Sequence, residues 1–198
     1  MSDNNKTQLK TTSYMKTGDT TFQVPRLDIA THTLQTIDYS HHEIHAGSHF
    51  NHAEIVDLAI NTVRDIRFIT PNTTKWCHLT FSVTCEAKTD FCLYEGATTI
   101  TAGTGITLFN NDRNSATTST CTANYIDNGS LADANADTMV TTCIDHVIIG
   151  SGRTAGFIDR EQEIILKQNT TYCFRFIANT AGYVNYRIQF YEHTNKTA

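Results

Sequence analysis

Within residues 75–86, apolar and polar side chains alternate strictly from Cys77 onward, and this pattern limits the possible folds more than any other feature of the chain. Successive residues of a β-strand point to opposite faces, so the alternation predicts a strand with one face in a core. The core side carries Cys77, Leu79, Phe81, Val83 and Cys85, and the other side Trp76, His78, Thr80, Ser82 and Thr84. We expect residues 91–95 to form the second strand of an antiparallel hairpin with this one.

Shorter stretches of similar character recur along the chain, and together they predict about eight strands. Together with residues 75–86 they lie at residues 54–60, 64–70, 91–95, 139–149, 163–167, 172–177 and 183–191, and residues 121–126 could form another strand. No window places apolar residues at helical spacing over ten residues. We therefore predict an all-β fold of jelly-roll type, in which two antiparallel sheets pack face to face as a sandwich.

The length and the composition indicate one domain preceded by an arm. A chain of 198 residues is long enough for one sizeable core. Residues 1–30 are mostly polar and lack a sustained apolar period, so we predict an extended or flexible N-terminal arm there. Residues 31–198 are expected to form a single β-sandwich domain. Within it, residues 97–120 are rich in Thr, Asn, Gly and Ser, which predicts a long functional loop or one packed on a neighbour.

Charge and cysteine usage exclude several classes of partner. The net charge is −5 and no basic run is present, so neither nucleic acid nor a membrane surface is expected as a partner. Residues 1–20 lack the apolar segment of a signal peptide, which favours a reducing compartment. The six cysteines contain no Cys-x-x-Cys pair, and we expect them to be buried free thiols.

Six of the nine histidines lie between His32 and His52, most of them in residues 39–50. Read as a strand, this stretch would place Tyr39, His41, Glu43 and His45 on one face, where His41, Glu43 and His45 could bind a metal ion. Two known metal templates fail on spacing. His42-Glu43-Ile44-His45 is one residue shorter than the zinc-protease motif, and the chain contains no His-x-His sequence.

Two other interpretations of this stretch stay open beside the metal site. The histidines could form hydrogen bonds at a turn, with Ala46-Gly47 providing the bend and Ile44 and Phe50 anchoring it in the core. Alternatively, the stretch could be a subunit or capsid interface that titrates near pH 6.5 and makes assembly dependent on pH. The residues of that predicted interface are His41, His42, Glu43, His45 and His49.

The sequence contains no recognisable catalytic signature. Neither a Gly-x-Ser-x-Gly elbow nor a phosphate-binding glycine loop occurs, and no Cys-His signature is present. Glu95 and Glu192, each next to a tyrosine, are the acids worth testing as a glycosidase pair. We expect a protein without catalytic residues and without a cofactor, not an enzyme.

Several segments after residue 30 together resemble a family of tailed-bacteriophage virion proteins. They are residues 39–50, 66–76, 93–96, 114–120, 165–172 and 191–196. The resemblance implies a capsid decoration or cement subunit, which is a jelly-roll sandwich that binds the outer capsid surface and stabilises it. Its implied partners are the major capsid protein and further copies of itself, as a homotrimer. It implies a place on the virion surface after synthesis in the host cytoplasm.

Two alternatives belong to other functional classes. A head-fibre or tail-fibre module that binds host-surface glycans would use exposed aromatic residues, for which Trp76, Tyr183 and Tyr191 are candidates. A metal-dependent enzyme would be built on the cluster from His41 to His49. The two alternatives differ in an observable property, since only the second requires stoichiometric metal.

Overall fold

The computed structural model describes residues 15–16, 22–23, 39–86, 88–97, 103–127, 143–150, 156–159 and 163–194. Residues 39–195 form one compact unit, which contains the sandwich. In the N-terminal region, β1 (Met15–Lys16) and β2 (Phe22–Gln23) pair antiparallel. The rest of the predicted arm, and His32, lie outside the described residues.

The sandwich contains a short helix and a series of strands. They are α1 (Tyr39–His45), β3 (His49–Leu58), β4 (Val63–Ile69), β5 (Lys75–Cys85), β6 (Thr89–Glu95), β7 (Thr104–Ile106), β8 (Phe109–Asn110), β9 (Thr122–Asp127), β10 (Cys143–Ile149), β11 (Gly156–Asp159), β12 (Ile164–Leu166), β13 (Thr171–Ala178) and β14 (Gly182–Thr194). The predicted all-β class is confirmed. The long loop expected at residues 97–120 contains the short strands β7 and β8.

The strands form two antiparallel sheets with the connectivity of a jelly roll. Sheet I has the order β10-β6-β13-β4-β9-β7, and sheet II has the order β11-β5-β14-β3-β8, with β12 also paired to β5. From β3 to β6 the chain changes sheet at every strand, and it does so again from β10 to β11 and from β13 to β14. The predicted eight-stranded jelly roll therefore consists of two quartets of strands, which are β3-β14-β5-β11 and β4-β13-β6-β10. Strands β7, β8, β9 and β12 extend its sheets.

The core lies between the inward faces of the two sheets and is largely aromatic. Ring centroids of Phe68 in sheet I and Phe190 in sheet II are 5.1 Å apart. Phe81 of sheet II lies 5.3 Å from Phe91 of sheet I. The inward side of β5 is buried as the alternation predicts, with Leu79 fully inaccessible to solvent. The predicted hairpin between residues 75–86 and 91–95 is wrong, because β5 and β6 belong to opposite sheets.

The expectation of six free thiols is wrong for one pair of cysteines. Cys92 of β6 and Cys143 of β10 form a disulfide. They are 51 positions apart in sequence, and their Cα atoms are 6.2 Å apart. The two strands are neighbours in sheet I, which brings these residues within bonding reach. The remaining cysteines are buried thiols, as expected, at Cys77, Cys85, Cys121 and Cys173.

Candidate functional site

Residues 39–45 of the histidine stretch form helix α1, so the strand interpretation of this segment is wrong. The helix ends in a Schellman motif, in which the Ser48 amide donates to the Glu43 carbonyl and the Gly47 amide to the Ile44 carbonyl, each at 3.0 Å. Gly47 has a φ of +69°, which favours glycine. A Cβ atom at this position would lie 2.5 Å from Ser115 Oγ. The chain bends at Ala46-Gly47, as one of the interpretations expected, and the backbone geometry of Gly47 is the cause.

The helix separates the predicted site residues into an exposed group and a buried pair. The side chains of His41, His42 and His45 are exposed, whereas Glu43 and His49 are buried. Ser48 Oγ donates to a carboxylate oxygen of Glu43. The Glu43 carboxylate is therefore engaged at the buried base of the helix, where its other oxygen lies 3.5 Å from Nδ1 of the exposed His42.

His41 and His45 lie one helical turn apart, and their Nε2 atoms are 2.9 Å from each other. The two histidines are four residues apart, as in the zinc-protease motif, but that motif has a glutamate directly after its first histidine, where this chain has His42. In the described part of the chain, no three His, Cys, Asp or Glu side chains form a group that could hold a metal ion. The proposed trio of His41, Glu43 and His45 does not converge.

Strand β8 and the segment after it hold the base of α1 in place. The side-chain amide of Asn110 donates to the carbonyls of Gly47 at 2.8 Å and Thr117 at 3.0 Å. The Asn111 backbone amide donates to the His49 carbonyl at 2.9 Å. The loop predicted to be functional or packed on a neighbour thus packs, in part, on the protein's own histidine stretch.

The two acids considered as a glycosidase pair both take part in internal contacts. Glu192 is 2% exposed, and its carboxylate accepts hydrogen bonds from Ser119 Oγ at 2.5 Å and from the amide of Thr120 at 3.0 Å. Glu95 pairs with Lys167 Nζ at 2.5 Å and accepts a hydrogen bond from the Tyr172 hydroxyl at 3.1 Å. These contacts give both residues a structural role in joining segments of the sandwich.

A row of aromatic and imidazole side chains crosses the outward face of sheet II. Tyr191 of β14 lies opposite His49 on β3 and opposite His78 on β5. The ring centroids of His78 and Tyr191 are 4.6 Å apart and nearly parallel. All three residues are buried although they face outward. Burial lowers the pKa of His49, and the nearby Glu43 carboxylate offsets only part of that change.

This row continues into a cluster that the sequence did not reveal, made of Glu163, His78, Tyr191 and His193. His78 Nδ1 is 2.9 Å from Glu163 Oε1, and the Tyr191 hydroxyl donates to Glu163 Oε2 at 2.6 Å. His78 Nε2 lies 2.6 Å from His193 Nε2, and His193 Nδ1 lies 3.0 Å from the Thr194 carbonyl oxygen. Burial would raise the pKa of Glu163, but the hydrogen bonds from Tyr191 and His78 outweigh it and the pKa is lowered.

A second polar network joins the two sheets at the β3–β4 edge. Arg64 Nη1 donates to both carboxylate oxygens of Asp127 at 2.7 Å, and Nη2 donates to Glu54 Oε1 at 2.7 Å. The guanidinium carbon lies 3.8 Å from the ring centroid of Tyr125. The Tyr186 hydroxyl donates to Glu54. The network connects β3 and β14 of sheet II with β4 and β9 of sheet I, and its role is structural.

Comparison with known proteins yields no relative. No family model matches the chain, and neither a curated protein nor a solved structure gives a match. Among the described residues, no helix has the length and apolar character needed to cross a membrane.

Proposed function

We propose that this protein is a structural subunit of a phage virion that binds the outer capsid surface and stabilises it, without catalysis. Its partners are the major capsid protein and further copies of itself, as a homotrimer. The segments that resemble virion proteins support this proposal, and so does the jelly-roll sandwich, which the resemblance implied. The observation that carries it is the construction of α1, whose exposed histidines stand on a base fixed to the sandwich.

A surface that is already ordered before binding loses little conformational entropy when the partner docks. The Schellman turn, the Asn110 contacts and the buried Glu43 hold the helix in one position. A contact of standard size buries about 1,600 Å² of total surface. Repeated over a shell, such contacts resist the pressure of packaged DNA through buried area and need no chemical step.

The exposed imidazoles make the proposed contact sensitive to pH. The Nε2 atoms of His41 and His45 are within hydrogen-bonding distance, and a hydrogen bond between them contains one proton. When both rings are cations, two N–H donors oppose each other and the contact breaks. Protonation of both rings should therefore change the association with the capsid.

The glycan-binding alternative receives less support from the aromatic residues on which it was based. Tyr183 is 53% exposed, but Tyr191 is 6% exposed and its ring stacks against His78. Trp76 is partly buried. Of these three candidates, one is available as an exposed stacking platform for a sugar ring.

Copy number on purified particles tests the proposal directly. Quantitative mass spectrometry should find the protein in a fixed, high ratio to the major capsid protein, and imaged particles should show its density on the outer capsid surface. A handful of copies per particle, or density confined to the tail, would refute the decoration role.

Variants of α1 test the surface that we assign to the contact. The triple change of His41, His42 and His45 to alanine should weaken binding of the purified protein to undecorated capsids while preserving its fold. His146→Ala is the matched control, because His146 is also exposed but lies on β10 of sheet I. Equal binding by wild type and triple variant would remove α1 from the interface.

A further inference from the structure

We propose that His78 and His193 are the protein ligands of a binding site for a divalent transition cation such as Zn²⁺ or Cu²⁺. This inference is independent of the proposed virion function. It rests on the hydrogen-bonding requirements of two imidazoles whose Nε2 atoms face each other on the outward side of sheet II.

The partners of the two Nδ1 atoms fix where the protons lie. His78 Nδ1 faces a carboxylate oxygen of Glu163, and His193 Nδ1 faces the Thr194 carbonyl oxygen. Both partners are acceptors, so both Nδ1 atoms must carry hydrogen. In their neutral forms the two rings then present lone pairs on Nε2.

Two lone pairs held 2.6 Å apart repel each other unless an electron acceptor lies between them. A single proton satisfies this requirement and leaves one positive charge on the pair. A metal cation also satisfies it, and imidazole nitrogen is a preferred ligand of Zn²⁺ and Cu²⁺. In both cases, a cation lies between the Nε2 atoms of His78 and His193.

The surroundings of the pair are those of metal-binding histidines. A histidine that binds metal through one nitrogen usually donates its other N–H to a carboxylate or a backbone carbonyl, which fixes the tautomer and makes the ligand more basic. Glu163 and the Thr194 carbonyl occupy these two positions. Tyr191 supports both sides of the arrangement, since it donates to Glu163 and its ring stacks on His78.

Metal binding requires a small separation of the two rings. With Zn–N bonds of about 2.0–2.1 Å and tetrahedral angles, the two nitrogens lie about 3.3 Å apart. His193 is one residue from the end of β14 and is partly buried, so it is the ring with freedom to move. No third protein ligand completes the site in the described part of the chain, which leaves positions for water or a donor from a partner.

Zinc titration by isothermal calorimetry tests this site, and the exposed His41–His45 pair must first be removed because it is a competing site. In a background carrying H41A and H45A, we expect one equivalent of Zn²⁺ to bind. His193→Ala should weaken binding at least tenfold. Glu163→Gln should weaken it about 10-fold to 100-fold, as expected for loss of a carboxylate that orients a ligand. His146→Ala should have no effect, although His146 also pairs with a carboxylate, that of Asp90.

Zinc X-ray absorption on the H41A/H45A protein should show two imidazole nitrogens, and the thermal midpoint should rise with added zinc. Circular dichroism verifies that each variant is folded, and if His193→Ala does not fold, Glu163→Gln and the absorption spectrum decide the question. The proposal is overturned if the background protein takes up no stoichiometric zinc. It is equally overturned if folded His193→Ala and Glu163→Gln bind zinc as tightly as the background does.

Discussion

Asp65 makes the stability of this protein depend on pH in a direction opposite to that of most carboxylates. Its side chain is completely buried on the outward face of β4, where Oδ1 accepts a hydrogen bond from Arg175 Nε at 3.0 Å. Among the described residues, Oδ2 has no hydrogen-bond partner. Burial raises the pKa of Asp65 to about 6, and the Arg175 guanidinium offsets only part of that rise.

The rise in the pKa of Asp65 from 3.8 to about 6 corresponds to about 3 kcal/mol. Between about pH 4 and 6 the folded protein keeps the Asp65 proton, whereas the unfolded chain has released it. Stability from this group therefore falls as the pH rises through that window. It is fully present below about pH 4 and is lost above about pH 6.

Comparison of the wild type with Asp65→Asn isolates this effect from all other titrating groups. Asparagine has nearly the same shape and does not ionise, so the Arg175 contact to a neutral group is common to both proteins at pH 4. The free energy of unfolding of Asp65→Asn, relative to wild type, should rise by about 3 kcal/mol between pH 4 and pH 7.5. Urea titrations that follow Trp76 fluorescence measure this difference at each pH.

If the difference in the free energy of unfolding between the two proteins stays constant across this range, the reasoning is refuted. If the stability of Asp65→Asn relative to wild type falls as the pH rises, the effect has the opposite sign. Carbon-13 NMR of the Asp65 carboxyl group gives an independent check, because its titration should centre near pH 6. A midpoint near 3.8 would show that Arg175 compensates fully for burial.

Three further predictions concern the end of α1, the Arg64 network and the buried His49. Gly47→Ala should lower the free energy of unfolding by more than Gly96→Ala does. Gly96 has a similar φ of +73°, but a Cβ atom there would have no neighbour within 4 Å, whereas a Cβ atom at Gly47 would lie 2.5 Å from Ser115 Oγ. The backbone term common to both is about 1–2 kcal/mol. Arg64→Met should cost about 1–3 kcal/mol, because the partly exposed carboxylates of Glu54 and Asp127 lose their hydrogen bonds to the buried cation that joins the sheets. His49→Ala should destabilise the fold by about 1–3 kcal/mol, because the buried ring loses its packing against Tyr191 and its hydrogen bond with the Asn111 side-chain amide. The exposed histidines of α1 should each change stability by less than about 0.5 kcal/mol.

Chemical denaturation at pH 7.5 measures all three effects. Equal losses for Gly47→Ala and Gly96→Ala would show that the loop around Ser115 yields without cost. A stability of Arg64→Met equal to that of wild type would show that the network can be replaced by apolar packing. If His49→Ala is as stable as wild type, then His49 contributes as little to stability as the exposed histidines of α1.

The faces of the strands could be predicted from the sequence because the pleat has a period of two residues. This local rule placed Leu79 and Phe81 in the core, and it placed His78 on the opposite face of β5. The helix α1 could not be predicted in the same way. It spans only seven residues, too few for a helical apolar stripe, and its end is fixed by Gly47 and by contacts with Asn110 and Ser115.

The sequence by itself determined the all-β sandwich, the approximate number of its main strands and the inward side of the longest ones. The tertiary structure alone decided which distant residues meet. It placed β5 and β6 in opposite sheets, paired Cys92 with Cys143, and brought together His78 and His193, which are 115 residues apart. Alternation is a local property of the backbone, whereas strand order and register depend on how the whole chain crosses between the sheets.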